Sequence, residues 1–192
     1  LTPAGKVLLE QGREILQATE RLAMTTKKAH SGWEPVFTIA IDSILDFEFI
    51  YPLIARFYEI HPDIEINIYE EVLGGTEEAL SSNRADLVIG VDAKTALNQD
   101  IHYQKIRDIE WVFAVAPNHL LTKAPLPLAQ PLIEQHRFIV VRDSSRQQAP
   151  QSHRIFNNRS VLRVPSMTEK IHAQCLGLGV GFLPAHRIGD LL

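Results

Sequence analysis

VFTIAIDSILDFEFIYPLIARFYEIHPDIEINIYEEVLGGTEEALSSNRADLVIGV, running from Val36 to Val91, alternates strand-like and helix-like runs. Val36 to Ile41 is apolar and β-branched with Thr38 its only polar member, the composition of a strand buried on both faces of a parallel sheet. Phe49, Ile50, Leu53, Ile54, Phe57 and Ile60 recur at helical spacing within Phe47 to Ile60, where Pro52 falls in the first turns and Pro62 is the stop. Ile64, Ile66 and Ile68 then alternate with Glu65, Asn67 and Tyr69, so Asp63 to Val72 is a second strand. Gly74-Gly75 turns the chain, and Thr76 is expected to cap a short helix. Asp86 to Val91 is a third buried strand. The order β-α-β-α-β makes a parallel sheet with right-handed crossovers.

Upstream, Leu1 to His30 reads as one long helix. Thr2 can cap it and Pro3 fits its first position. Leu1, Leu8, Ile15 and Leu22 fall seven apart, flanked by Ala4, Leu9, Leu16, Ala18 and Ala23, with charged residues around them. That is an apolar seam at coiled-coil spacing, weakened by Gln11, Gly12 and Thr25. A helix of this kind cannot bury its stripe alone. The expected partner is a second copy through Leu8, Ile15 and Leu22; packing on its own domain is the alternative.

Downstream, Ala93 to Gln99 is a surface excursion, the composition shift around Gly90 to Gln99 is the expected lobe boundary, and an extended Tyr103 to Ile109 follows. Trp111 to Ala116, Phe138 to Val141, Val161 to Val164 and Val180 to Leu183 read as strands, with a short helix at Leu128 to Glu134. Ser166 and Glu169 form a capping box for a helix over Met167 to Leu176.

With 192 residues, the chain has room for one large domain or two small lobes. A net charge of -4 gives no basic footprint for nucleic acid. Cys175, the single cysteine, excludes an internal disulfide or a cysteine-type zinc cluster, and is expected to be a buried, inert thiol. No apolar run reaches the roughly 18 residues of a membrane span, and no secretory signal pattern opens the chain, so a cytoplasmic protein is expected. The eight histidines show no metal-ligand spacing, and His172 is expected at the surface or in packing. No cofactor is expected: Gly177-Leu178-Gly179-Val180-Gly181 follows a helix rather than opening one, which makes it a cap and turn, not a dinucleotide loop. No nucleophile elbow or catalytic triad order is present, so an enzyme is not expected. Glu70-Glu71 and Glu77-Glu78 are expected on the solvated surface.

Several words in this order resemble the LysR-type transcriptional regulators: Leu1 to Gly5 (LTPAG), Phe57 with His61 to Ile66 (HPDIEI), Arg84 to Ile89 (RADLVI), Val115 to Leu121 (VAPNHLL), and Gly177 to Pro184 (GLGVGFLP). Asp143 to Arg146 and Val164 to Met167 are most similar to the subgroup regulating allantoin and purine-nucleoside use. The resemblance implies an α/β fold of two Rossmann-like lobes, like type 2 periplasmic binding proteins, preceded by a linker helix. The divisions are 1–31 for the linker and dimerisation helix, 36–93 for lobe I and 94–192 for lobe II. It also implies that DNA is bound only through a domain this chain lacks, and that a C-terminal segment returning to lobe I is absent.

In open α/β sheets, ligands bind beyond the carboxyl ends of strands. Those ends carry Asp42, Ser43 and Ile44, Gly74, Gly75 and Thr76, Gly90 and Val91, Asp143 and Ser144, Ser166, Met167 and Thr168, and Leu183. The resemblance points to the same turns as the effector site. Ser43, Thr76 and Ser166 either hold a small anion or carbonyl at helix starts or act only as N-caps. Arg146 either pairs with a ligand carboxylate or phosphate or is solvated. The expected partners are a small effector (an anion, a purine or a ureide) and a second copy in a dimer or tetramer. Rival readings are a periplasmic-type solute-binding protein, disfavoured by the seam and the missing signal sequence, and a small α/β enzyme, which would need a catalytic constellation.

Overall fold

The computed structural model describes residues 2–31, 35–92, 101–147, 151 and 160–189. They fall into two compact units, one from 1–38 and 51–67 and the other from 39–50 and 68–192.

In the first unit, helix α1 (Pro3–Ser31) starts where Thr2 and Pro3 predict. The Thr2 hydroxyl accepts from Gly5 N at 3.1 Å, satisfying a first-turn donor. Its seam lies open: Leu8 is 75% exposed, Ile15 65% and Leu22 68%. Gly5 and Gly12 leave a shallow trough bordered by Leu8, Leu9 and Leu16. Leu1, the first seam position, lies outside the described residues.

The expected helix from Phe47 to Ile60 breaks in two. A 3-10 turn (Phe47–Phe49) ends at Ile50, and α2 (Tyr51–Ile60) follows with Pro52 at its second position. The break suits proline, which has no N–H to give an earlier carbonyl. No residue of α2 is buried: Leu53 and Ile60 are exposed, and Ile54 and Phe57 are half-buried.

Strands β1 (Val36–Asp42), β2 (Glu65–Glu71) and β3 (Leu87–Ile89) make a sheet in the order β2-β1-β3. β1 runs parallel to β3, pairing Ile39, Ala40 and Ile41 with Leu87, Val88 and Ile89. Helix α3 (Gly74–Ser81) packs Ala79 against Ala40 and Ala85, with Tyr69 and Val88 beside them. Small residues there let the helix approach the sheet closely.

The remaining strands are β4 (Trp111–Ala114), β5 (Phe138–Val141), β6 (Val161–Val164) and β7 (Gly181–Pro184). β4 and β7 are antiparallel; β5 and β6 are parallel. Ile139 N donates to Val180 O and Val180 N to Arg137 O, both at 2.9 Å, which joins the pairs in the order β6-β5-β7-β4. One core gathers around Phe138, Val140 and Val180 with Leu121, Ile133 and Phe182. The expected helix at Leu128 to Glu134 is a single turn, α4 (Gln130–Ile133). The other face carries α5 (Met167–Cys175), which buries Met167, Lys170, Ala173 and Gln174. Met167, Leu183 and Ile188 form a core of their own with Trp111, Val112 and Ile171 around it. Cys175 is exposed rather than buried, because α5 turns that position away from the sheet. The surface excursion at Ala93 to Gln99, and with it most of the expected lobe boundary, lies outside the described residues.

Candidate functional site

β1 ends on Asp42, and that carboxylate organises the turns around it. Oδ1 accepts from Ile44 N at 2.9 Å; Oδ2 accepts from Leu73 N at 2.8 Å and from the Thr76 hydroxyl at 2.9 Å. Burial outweighs these donors and pushes Asp42 up to about 6, since a charge is costly away from water. Gly90, at φ +102, passes so close that a Cβ there would lie 2.7 Å from Asp42 Cβ. Glycine alone meets both demands.

Thr76 is therefore not a cap. α3 already begins at Gly74, after Leu73 at φ 53, and the Thr76 side chain is spent on Asp42. Ser43 is not a cap either. Asp46 caps the 3-10 turn by accepting from Glu48 N at 3.2 Å, while Ser43 is buried. Ser166 does cap α5, accepting from Glu169 N at 3.3 Å.

The end of β5 closes over the start of α3. Ser144 Oγ accepts from Val72 N at 2.8 Å and donates to Glu71; Asp143 Oδ1 accepts from Gly75 N at 3.2 Å and Ser145 N at 2.8 Å. Glu78 accepts from the backbone N–H of Arg146 and Gln147 at 2.9–3.0 Å. Arg84 pairs with Glu71 and, at 3.6 Å, with Glu78, and Tyr103 donates to Glu77 at 2.7 Å. The acidic pairs are thus not solvated surface: Glu70 is exposed, but Glu71, Glu77 and Glu78 are buried on backbone amides, on Arg84 and on the Tyr103 hydroxyl. Among the described residues, no group of three or more His, Cys, Asp and Glu is arranged to hold a metal ion.

A second clasp comes from Arg187. Nη1 donates to Ser43 O and Leu45 O at 2.8 Å each, Nη2 donates to Thr168 Oγ1 at 2.9 Å, and Nε lies 3.7 Å from Asp46. His186 Nε2 lies 3.2 Å from Ile44 O.

Of the residues expected at the site, Ser43, Ile44, Thr76, Gly90 and Ser144 join the Asp42 and Glu71 networks, Gly75 bonds Asp143, Gly74 lies beside the Asp143 and Gln151 side chains, and Thr168 joins through Arg187. Ser166 adjoins as a cap, and Met167 and Leu183 lie in the core below. Arg146 contributes its backbone N–H while its side chain is exposed; Val91 is half-buried. Sequence reading places Asp42 and Asp143 at strand ends without giving them a role, and misses Glu71, Glu78, Arg84 and Arg187. An Asp on the last position of a buried strand was the one available signal.

Among known proteins, the LysR substrate binding domain model matches residues 30–192. An uncharacterized HTH-type transcriptional regulator of Escherichia coli K12, YeeY, is 34% identical over 185 residues, covering 96% of this chain and 60% of that protein. The chain thus spans about three fifths of the length of this curated relative. The full-length Vibrio cholerae virulence activator AphB superposes with a TM-score of 0.57 at 18% identity, covering 100% of this chain and 65% of that one. The BenM effector binding domain with its effector benzoate gives 0.53 at 19% identity, covering 78% and 70%.

Proposed function

The chain belongs to the LysR substrate-binding domain family, and we propose that it is the effector-sensing and oligomerising part of a longer DNA-binding transcriptional regulator. A small metabolite would bind at the carboxyl ends of the strands, against Ser43, Gly74, Gly75, Thr76, Ser144 and Thr168, between lobe I (36–93) and lobe II (94–192). The observation that carries this reading is the convergence of three turns on one place: the end of β1, the start of α3 and the 143–147 segment exchange hydrogen bonds, some of them across more than 60 residues of sequence, as the 68 between Gly75 and Asp143 show. Those contacts are polar and made largely through backbone groups, the kind that a small polar ligand can replace one for one. Effector occupancy would shift an equilibrium between arrangements of these turns. α1 would pass that shift on through a helix pair seamed by Leu8, Ile15 and Leu22. BenM, of similar fold, has benzoate as its effector; a small carboxylate is accordingly the first class to test here, with purines, nucleosides and ureides next.

A thermal-shift screen over those classes tests the reading. A ligand at about 100 times its dissociation constant adds about 2.7 kcal/mol, or roughly 5–10 °C for a chain of this size. A cooperative melt that no compound moves counts against sensing.

A further inference from the structure

Glu78 lies in the second turn of α3 and is 2% exposed. Its carboxylate is held chiefly by backbone. Arg146 N donates to Oε1 and Oε2 at 3.0 Å each, and Gln147 N donates to Oε2 at 2.9 Å. Arg84 is farther, at 3.6 Å, and is shared with Glu71. Successive backbone N–H groups form a concavity suited to an anion of any origin. Here the anion is tethered to the chain.

Two buried hydroxyls near this cradle have no hydrogen-bond partner among the described residues: Ser145, next to Arg146 in sequence, and Tyr69, within electrostatic reach of Arg84 and Arg146. Buried hydroxyls are ordinarily satisfied, so each is a polar contact left open.

We propose that the Arg146–Gln147 amide pair is a carboxylate-binding subsite, held in this structure by Glu78, and that a carboxylate-bearing effector binds by displacing Glu78 from it. The inference rests on the sensing reading above. A carboxylate fits because both Glu78 oxygens are in use and because the exchange returns one negative charge beside Arg84. A phosphate dianion would add charge among the buried Glu71, Glu77 and Asp143, and a neutral carbonyl brings one oxygen where two are held. Displacement removes the Glu78 contacts between α3 and Arg146–Gln147 while the Gly75–Asp143 contact stays, which couples occupancy of the subsite to how tightly the turns close.

The test uses formate as the probe, with formamide as the neutral control and chloride to keep ionic strength constant. The backbone amide signals of Arg146 and Gln147 are followed by NMR in the wild type, Glu78→Gln and Glu78→Ala. In Glu78→Gln the tethered charge is gone and both signals shift saturably, with formate bound about tenfold more tightly than in the wild type, the scale of one hydrogen bond to a charged group. Glu78→Ala melts lower than the wild type and regains melting temperature with formate but not with formamide. Equal formate responses in the wild type and Glu78→Gln overturn the proposal, as does a formamide response equal to that of formate, or silence of these two amides in Glu78→Gln. An effector that stabilises the protein while these amides stay silent removes the subsite and leaves the sensing role standing. A saturable formate response in Glu78→Gln without any effector in the screen supports the subsite while the sensing role falls.

Discussion

A Cβ placed on Gly75 would lie 2.0 Å from the Ser144 hydroxyl and 2.8 Å from the Ser144 carbonyl carbon. The start of α3 and the end of β5 therefore meet backbone to backbone. Gly→Ala inside a helix ordinarily gains about 1 kcal/mol, but overpacking a closed contact costs about 1–3 kcal/mol, so Gly75→Ala is expected to be destabilising. Gly74, whose Cβ would meet the Asp143 and Gln151 side chains at 3.2 Å, is the control: Gly74→Ala stays near neutral. Urea midpoints of the two variants decide.

Arg187 holds two carbonyls, of Ser43 and Leu45, and the Thr168 hydroxyl. Arg187→Ala should lose about 2–3 kcal/mol, the worth of one or two charge-assisted bonds at a side chain 9% exposed. Arg187→Lys should recover only part of it, because an ammonium cannot span both sides as a planar fork does. Full rescue by Lys in chemical denaturation would show that charge alone matters.

Asp42 holds its proton up to about 6 in the fold, against 3.8 ordinarily. The folded state thus binds the proton more tightly, and the stability this brings is full at low pH and is lost as pH rises from about 4 through about 6. The wild type should lose up to about 3 kcal/mol over that window relative to Asp42→Asn. Parallel pH profiles of the two proteins would reject the assignment.

Lys170 carries the opposite burden. It is 5% exposed, no hydrogen bond or ion pair reaches its amine among the described residues, and burial pushes that amine down to about 8 from 10.5. The unfolded chain binds that proton more readily, so the cost is present at neutral pH and is relieved as pH rises from about 8 to about 10.5. Lys170→Met should raise stability at pH 7 by about 1–3 kcal/mol, and the gain should shrink at alkaline pH. A loss at pH 7 would mean that the ammonium has a partner.

Ile15 is 65% exposed on α1. If the seam is a self-association surface, Ile15→Asp should halve the mass seen by sedimentation while leaving the melting of a dilute sample nearly unchanged. An unchanged mass would assign the seam to another role.

Pattern alone located most of the skeleton, and the reason is local. β5 coincides with the run Phe138 to Val141 because four adjacent apolar residues, three of them β-branched, have few alternatives to a buried strand. Ser166 was legible because a cap is a contact three residues long. What escaped was set by partners distant in sequence. Glu78 reads as surface until the amides of Arg146 and Gln147 arrive, 68 and 69 residues later. Thr76 reads as a cap because nothing nearby shows that Leu73 takes φ 53 and starts the helix earlier. The α2 stripe was correctly periodic, but periodicity says which residues share a face, not whether that face is covered.

Ser43 and Arg187 are 144 positions apart, and β4 must wait for β7 before either has its partner. Chains are made from the N-terminus at about 5–20 residues per second, and early parts can fold while later ones are still unmade. β1, β2, β3 and α3 can pair as soon as they leave the ribosome, yet the turns at their ends lack the Asp143, Arg146 and Gln147 contacts until residues 143–147 emerge and lack their second clasp until Arg187 does. For several seconds of synthesis the growing chain carries these turns without their later contacts, so completion of this region is paced by translation of residues 143–187.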